Sequence, residues 1–215
     1  FSVCEAMAQA GIKQLAFAST SAIYGDRPEP LHENFGPLEP ISFYGASKLA
    51  SEAYASAYAH RHGIQTWIYR FPNVIGGRAT HGVIYDFIRK LQATPDELQV
   101  LGDGTQQKPY VYVHDLLDAM VLAWTTASPD PMEVWNIGPE TSTTVRTIAE
   151  LVVARVEGSE SARIVFGSEP IGWPGDVPKF QYDSSRIRAL GWQPRHTSDE
   201  AVAQAVDVIY QELCT

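Results

Sequence analysis

The sequence has little of what marks secreted, membrane-anchored or metal-binding proteins. Its two cysteines, Cys4 and Cys214, stand at opposite ends of the 215 residues, so they form no disulfide framework. No apolar run approaches the roughly 18 residues that suggest a membrane span. The first residues also lack the charged start and apolar stretch of a signal peptide. The six histidines form no metal-ligand grouping with cysteine or carboxylate. These absences predict a cytoplasmic protein with no membrane partner and no metal.

Positive charge is also scarce, because the formal net charge is −9. An acidic balance argues against sequence-independent binding to a nucleic-acid backbone, although local charge can still bind a small anion. Hydrophobic residues make up 45% of the chain and charged residues 19%, which is ordinary for a globular protein. The length allows one large domain or two small ones with a real core.

Apolar periodicity alternates strands with helices. Residues 14–19 and 65–70 are apolar runs of strand length, and the Ala-rich segment 44–62 between them has helical spacing. The order strand, helix, strand predicts a doubly wound parallel sheet. Further helices are predicted at 2–10, 83–92, 115–126, 144–157, 184–190 and 199–213, and further strands at 98–101, 110–113, 134–137 and 163–166.

Tyr44 and Lys48 lie four residues apart at the start of the helix 44–62. This spacing places both side chains on one helix face, with their Cβ atoms about 6 Å apart. A free phenol titrates near pH ~10, but a neighbouring ammonium favours the phenolate, which is the form that acts as a base. Thr20 follows the strand 14–19, at the strand end where doubly wound sheets bind ligands. These three residues are therefore candidate catalytic groups; a solvated Tyr/Lys pair on a helix surface is the alternative.

Several short motifs occur in an order that resembles one enzyme family. The segments are 17–25 (FASTSAIYG), 44–48 (YGASK), 70–73 (RFPN), 102–106 (GDGTQ), 110–115 (YVYVHD), 136–138 (NIG), 174–176 (PGD) and 190–192 (LGW). Together they resemble the extended short-chain dehydrogenase/reductases of the NAD-dependent epimerase/dehydratase family, and among them most closely the UDP-glucose 4-epimerases.

The resemblance implies a Rossmann-type α/β fold without its N-terminal strands, joined to a smaller α/β substrate-binding domain. Residues 1–75 and 106–138 are expected in the NAD-binding domain, and residues 76–105 and 139–215 mainly in the substrate domain. The chain contains no Gly-x-Gly-x-x-Gly loop for the cofactor pyrophosphate and begins at Phe1. We therefore expect an N-terminally truncated piece that binds NAD weakly by itself, is inactive alone and exposes a sheet edge.

The family likeness assigns a role to each residue of the predicted catalytic group. Tyr44 would take the proton from the 4-hydroxyl of the sugar, Lys48 would bind the nicotinamide ribose, and Thr20 would hydrogen-bond the same 4-hydroxyl. Ser19 and Pro72, together with Tyr44 and Lys48, are the implied NAD contacts. NAD supplies the hydride chemistry, and the protein supplies orientation and electrostatics.

The likeness also implies a set of substrate contacts outside that group. These contacts are Thr20, Asn73, Lys108, Asp176 and Phe180. The alternatives are a turn position for Asn73, core packing for Phe180 and a structural role for Asp176. For Asp115, as for Asp176, the resemblance implies either ribose binding or a structural role. Trp173 stands where the family often has an arginine on the diphosphate, and Arg70, Arg78 or Arg163 are candidates to replace it.

The residues after the catalytic threonine discriminate between reactions. Sugar 4,6-dehydratases carry Asp-Glu there, whereas this chain has Ser21 and Ala22, which cannot act as acid or base near neutral pH. The sequence therefore predicts an isomerase, a UDP-glucose/UDP-galactose 4-epimerase that forms a homodimer when full length. A nucleotide-sugar reductase or dehydrogenase, and a non-catalytic nucleotide-sugar-binding relative, remain alternatives.

Overall fold

The computed structural model describes residues 1–126, 128–172, 177 and 179–214. The helices are α1 (Ser2–Ala10), α2 (Phe43–His62), α3 (Val83–Ala93), α4 (Val113–Thr125), α5 (Val145–Arg155), α6 (Ser185–Ala189) and α7 (Ser198–Cys214). The strands are β1 (Gln14–Ala18), β2 (Gln65–Arg70), β3 (Asn73–Ile75), β4 (Glu97–Val100), β5 (Gln107–Lys108), β6 (Tyr110–Tyr112), β7 (Met132–Asn136), β8 (Thr143–Thr144) and β9 (Arg163–Phe166). Within these described ranges, none of the helices has the length and apolarity needed to cross a membrane.

The first compact unit comprises residues 1–72, 116–138 and 181–193. Its sheet has the order β1-β2-β7, and both strand pairs are parallel. β2 is the central strand and is buried from its second residue onward, as expected for a parallel strand covered on both faces. β1 lies at the edge, and among the described residues β2 is its neighbour in the sheet. The predicted parallel α/β architecture is confirmed.

The second compact unit comprises residues 73–115, 139–180 and 194–215. Its strands form short pairs: β3 with β6 and β4 with β9 are parallel, and β5 with β8 is antiparallel. The core packs α3, α5 and α7 together through apolar stripes at helical spacing. Fully buried members of this core include Ile88, Leu91, Leu98, Ile148, Val152, Ala201, Val202 and Ala205.

The units divide the chain at residues different from the predicted domain bounds. Residues 106–115 lie in the second unit, because β6 packs along α7 and the Tyr110 amide donates to Ser198 Oγ at 3.0 Å. Residues 181–193 lie in the first unit, because Ser184 Oγ donates to the Gly138 carbonyl at 2.8 Å. Both segments are placed by long-range contacts that local sequence patterns do not reveal.

Candidate active site

The predicted hydroxyl residues lie where β1 ends. Ser19 and Thr20 follow Ala18 directly, and both are buried. Thr20 caps a single turn of 3-10 helix (Ser21–Tyr24), in which its Oγ1 accepts a hydrogen bond from the Ala22 amide at 3.2 Å. In this bond the threonine oxygen is the acceptor and the amide is the donor. The hydrogen of the threonine hydroxyl therefore remains available to donate a bond of its own.

The start of α2 packs closely against this turn. Ser42 caps the helix by accepting a hydrogen bond from the Gly45 amide at 3.0 Å. Gly45 is buried, and a Cβ atom built on it would lie 2.6 Å from the carbonyl oxygen of Ala22. The helix therefore approaches the turn after Thr20 at a distance that any side chain would block.

Tyr44 and Lys48 project from the first two turns of α2, and the structure brings them together. The Lys48 ammonium lies 5.8 Å from the centre of the Tyr44 ring and 5.1 Å from that of Phe17. It also donates a hydrogen bond to the Ala18 carbonyl at 2.8 Å, two residues before Thr20. Tyr44 is 56% exposed, so its phenol is accessible to a ligand.

A buried polar cluster begins at Ser19, directly before Thr20. Its members are Ser19, Tyr24, Glu52, Arg70 and Asn136. Arg70 donates to both carboxylate oxygens of Glu52, from Nε at 3.1 Å and from Nη2 at 2.7 Å. The Ser19 hydroxyl also donates to Glu52, so it is engaged inside the protein, and its contact with NAD stays a prediction. Tyr24 donates to Asn136 Oδ1 at 2.8 Å and accepts from Arg70 Nη1 at 3.0 Å.

This cluster corrects one interpretation of the sequence. Burial by itself lowers the pKa of Arg70, but the hydrogen bonds and charge interactions with Glu52 and Tyr24 outweigh it and raise that pKa above its ordinary value. Arg70 is thus a buried, paired cation and does not replace the diphosphate-binding arginine. Sequence reasoning also missed Glu52, although its position four residues after Lys48 on the same helix was an available signal.

The other predicted contacts lie in different parts of the fold. Pro72 is buried in the first unit just after β2. In the second unit, Asn73 is exposed at the start of β3, Lys108 is half-buried in β5 opposite Thr143, and Phe180 is half-buried. Asp176 and Trp173 lie outside the described residues.

Asp115 is buried in the second unit and serves as an acceptor for a neighbouring loop. It accepts from Arg195 Nε at 3.0 Å and pairs with His196 Nδ1 at 2.9 Å. These contacts favour the structural role that the sequence left open. No cluster of His, Cys, Asp and Glu side chains that could hold a metal ion occurs in the part of the chain that the structure describes.

The geometry suits the nicotinamide end of a dinucleotide. An ammonium fixed at the carboxyl end of β1 can donate to ribose hydroxyls, and an exposed phenol on the same helix face can exchange a proton with a substrate alcohol. A parallel sheet with tyrosine, lysine and threonine at its carboxyl edge is the arrangement that the resemblance to the short-chain dehydrogenase/reductases implies.

Comparison with known proteins narrows this class. Residues 1–138 match the model of the NAD dependent epimerase/dehydratase family, and the chain belongs to that family. It is 32% identical to the UDP-glucose 4-epimerase of Azospirillum brasilense over 92% of this chain and 60% of that protein. The NAD dependence of the family confirms the predicted cofactor.

Solved structures support the same assignment. A crystal structure of a UDP-galactose 4-epimerase is similar with a TM-score of 0.84 and 34% identity, over 99% of this chain and 68% of that one. The Bacillus cereus UDP-glucuronic acid 4-epimerase, solved with UDP-glucuronic acid and NAD, is similar with a TM-score of 0.80 and 25% identity, over 98% and 65%. The chain spans 56% to 66% of the length of three curated relatives.

Proposed function

We propose that the full-length protein is a UDP-sugar 4-epimerase that interconverts UDP-glucose and UDP-galactose through a 4-keto intermediate. The observation that carries the proposal is the Tyr44–Lys48 pair at the carboxyl end of β1, next to a threonine that no acid or base follows. We also propose a cytoplasmic location, which suits the two free thiols Cys4 and Cys214.

In this proposal the residues of the chain handle a proton at the sugar 4-hydroxyl. Tyr44 takes that proton as the general base, and the Thr20 hydroxyl hydrogen-bonds the same oxygen. Lys48, held by the Ala18 carbonyl, contacts the nicotinamide ribose, and Ser19 and Pro72 make further contacts with NAD. When bound, NAD supplies the acceptor and donor of the hydrogen on C4.

The turn after Thr20 favours epimerisation over dehydration. Eliminating water from a sugar needs acid–base groups at a second carbon, and the 4,6-dehydratases of the family carry Asp-Glu after the threonine for that purpose. Ser21 and Ala22 occupy those positions in the 3-10 turn. Since neither side chain titrates near neutral pH, the site can remove and return hydrogen at C4 without eliminating water.

We propose four further residues as contacts of the UDP-sugar, as the family resemblance implies. Lys108 would neutralise a phosphate as a point charge, Asn73 would donate to the phosphate side of the substrate, and Asp176 and Phe180 would contact the ribose and the sugar pocket. Asn73 is exposed at the start of β3, which leaves its amide open to a ligand.

The first test is turnover by the full-length protein. Incubated with UDP-galactose and catalytic NAD, it is expected to form UDP-glucose, followed by NMR, without accumulation of NADH, because the hydrogen taken from C4 returns to the same sugar. A folded protein that holds NAD but leaves UDP-galactose unchanged would contradict the assigned substrate. Net formation of NADH would instead favour the dehydrogenase alternative.

We further propose that the full-length protein is a homodimer that packs through α1 and α2. The outer face of α2 carries a stripe of exposed alanines at positions 46, 50, 53 and 57, which permits close approach of a second helix. The exposed Tyr54 and Phe1 rings meet edge to face at its border, with centroids 5.7 Å apart.

The dimer proposal predicts a clear effect of charge on that stripe. We expect Ala53→Glu to convert the dimer to monomer in light scattering, because the buried stripe would then contain two unpaired carboxylates. Ala93→Glu, at the exposed end of α3, is the matched control and is expected to stay dimeric. A monomeric wild-type protein, or a dimeric Ala53→Glu variant, would contradict this interface.

A further inference from the structure

Glu52 is a carboxylate in an unusual place. It lies on α2, four residues after Lys48 and eight after Tyr44, and is only 7% exposed. Ionised side chains are rarely buried unless they are paired, and most helix carboxylates face water. The position of this charge therefore calls for a specific reason beyond helix formation.

The partners of Glu52 lie on both sides of Thr20. Arg70, the last residue of β2, grips the carboxylate with two parallel hydrogen bonds, at 3.1 and 2.7 Å. Ser19, directly before Thr20, donates its hydroxyl to the same carboxylate. Arg70 also donates to the hydroxyl of Tyr24, which ends the turn that Thr20 caps, at 3.0 Å. The ion pair thus links the helix of the Tyr44–Lys48 pair to both flanks of the threonine.

The chemistry of this pair favours positioning over stability. The Arg70 and Glu52 side chains are 6% and 9% exposed, so both charges are desolvated. For such pairs the cost of desolvation offsets most of the attraction, and apolar replacements of similar volume are often equally stable. Two apolar side chains cannot replace the planar fork of the Arg70 guanidinium. This fork bonds both oxygens of the Glu52 carboxylate only when α2 and β2 are in one relative register.

We propose that Glu52 and Arg70 are positioning residues that fix the register of α2 on the sheet and so hold Tyr44 and Lys48 in place relative to Thr20. This inference rests on the proposed function only in the experiments that measure turnover of UDP-galactose. Glu52 and Arg70 need not touch substrate or cofactor, because they act through the helix, Ser19 and Tyr24.

The test uses the full-length protein and the double substitution Glu52→Met/Arg70→Met, which replaces the ion pair by apolar side chains of similar length. We expect a folded protein with a melting temperature near that of the wild type, kcat for UDP-galactose lowered about 100-fold, and KM within about twofold, because a misplacement of about 1 Å has an effect of this size. Wild-type kcat in the folded double variant would overturn the proposal.

A matched control comes from a second ion pair of the same unit. Arg186 pairs with the buried Glu133 and joins α6 to β7. Glu133→Met/Arg186→Met is expected to keep wild-type kcat, and an equal loss of kcat in this control would overturn the proposal by showing a general structural effect. If the Glu52→Met/Arg70→Met protein does not fold, Arg70→Lys decides instead: it keeps the charge but not the fork, and we expect kcat to fall about tenfold at unchanged KM.

Hydrogen exchange separates this inference from the assigned substrate. We expect backbone amides in residues 44–50 to exchange at least about tenfold faster in the Glu52→Met/Arg70→Met variant than in the Glu133→Met/Arg186→Met control, since local opening follows lost anchoring. If the wild type does not convert UDP-galactose, the substrate assignment fails, and this exchange ratio still decides the positioning role. Equal exchange in the two variants would overturn it.

Discussion

Replacing Tyr44 by phenylalanine is expected to lower kcat for UDP-galactose about 1,000-fold, which is within the range of general acid–base catalysis. The substitution removes the phenol oxygen and leaves the ring, so the helix and the Lys48 ammonium keep their places. A loss of this size corresponds to about 4 kcal/mol of transition-state stabilisation. The NMR assay with UDP-galactose and catalytic NAD measures it directly.

The structure predicts that this loss comes without a loss of stability. Tyr44 is 56% exposed, and exposed positions away from caps and buried networks change the free energy of unfolding by about 0.5 kcal/mol or less. Tyr54→Phe is the matched control, because Tyr54 is also exposed on α2 and loses the same atom. Similar kcat values for the two variants would exclude Tyr44 as the base.

The regular elements could be predicted because their periodicity is local. The strand 65–70 and the helix 2–10 have the same bounds in the structure as in the prediction, since each carries an uninterrupted pattern. The three-residue strand β3 and the two-residue strands β5 and β8 were not predicted. Such short pairs have too few residues to show an alternation, and they form because partners distant in the chain meet.

One part of the candidate site could likewise be predicted from local sequence, and another part could not. The Tyr44–Lys48 pair follows from helix geometry alone, since a spacing of four residues fixes which side chains are neighbours. The Glu52–Arg70 pair spans 18 residues and depends on how α2 crosses the sheet, which no local pattern states. In the sequence alone Arg70 is therefore a candidate phosphate-binding cation, and its burial and its pairing with Glu52 become visible only in the structure.

The close approach of α2 to the turn after Thr20 leads to a second large expected effect. In Gly45→Ala, the new Cβ would lie 2.6 Å from the Ala22 carbonyl oxygen and 2.9 Å from the Pro40 Cβ. The Ala22 atom is backbone, so either the helix start that carries Tyr44 or the turn capped by Thr20 must move. We expect kcat to fall about 100-fold, because a shift of about 1 Å in a reacting group has that effect.

The same overpacking is expected to lower the free energy of unfolding by about 1–3 kcal/mol, measured by denaturant titration. Gly63→Ala controls for this loss: Gly63 ends the same helix with a φ of 60° and open space around its Cβ position. Its substitution costs about 1 kcal/mol in the left-handed conformation but leaves the Thr20 turn untouched, so kcat should stay at the wild-type value. If Gly45→Ala keeps wild-type kcat, or if Gly63→Ala loses as much, the distance between α2 and the Thr20 turn does not control the reaction.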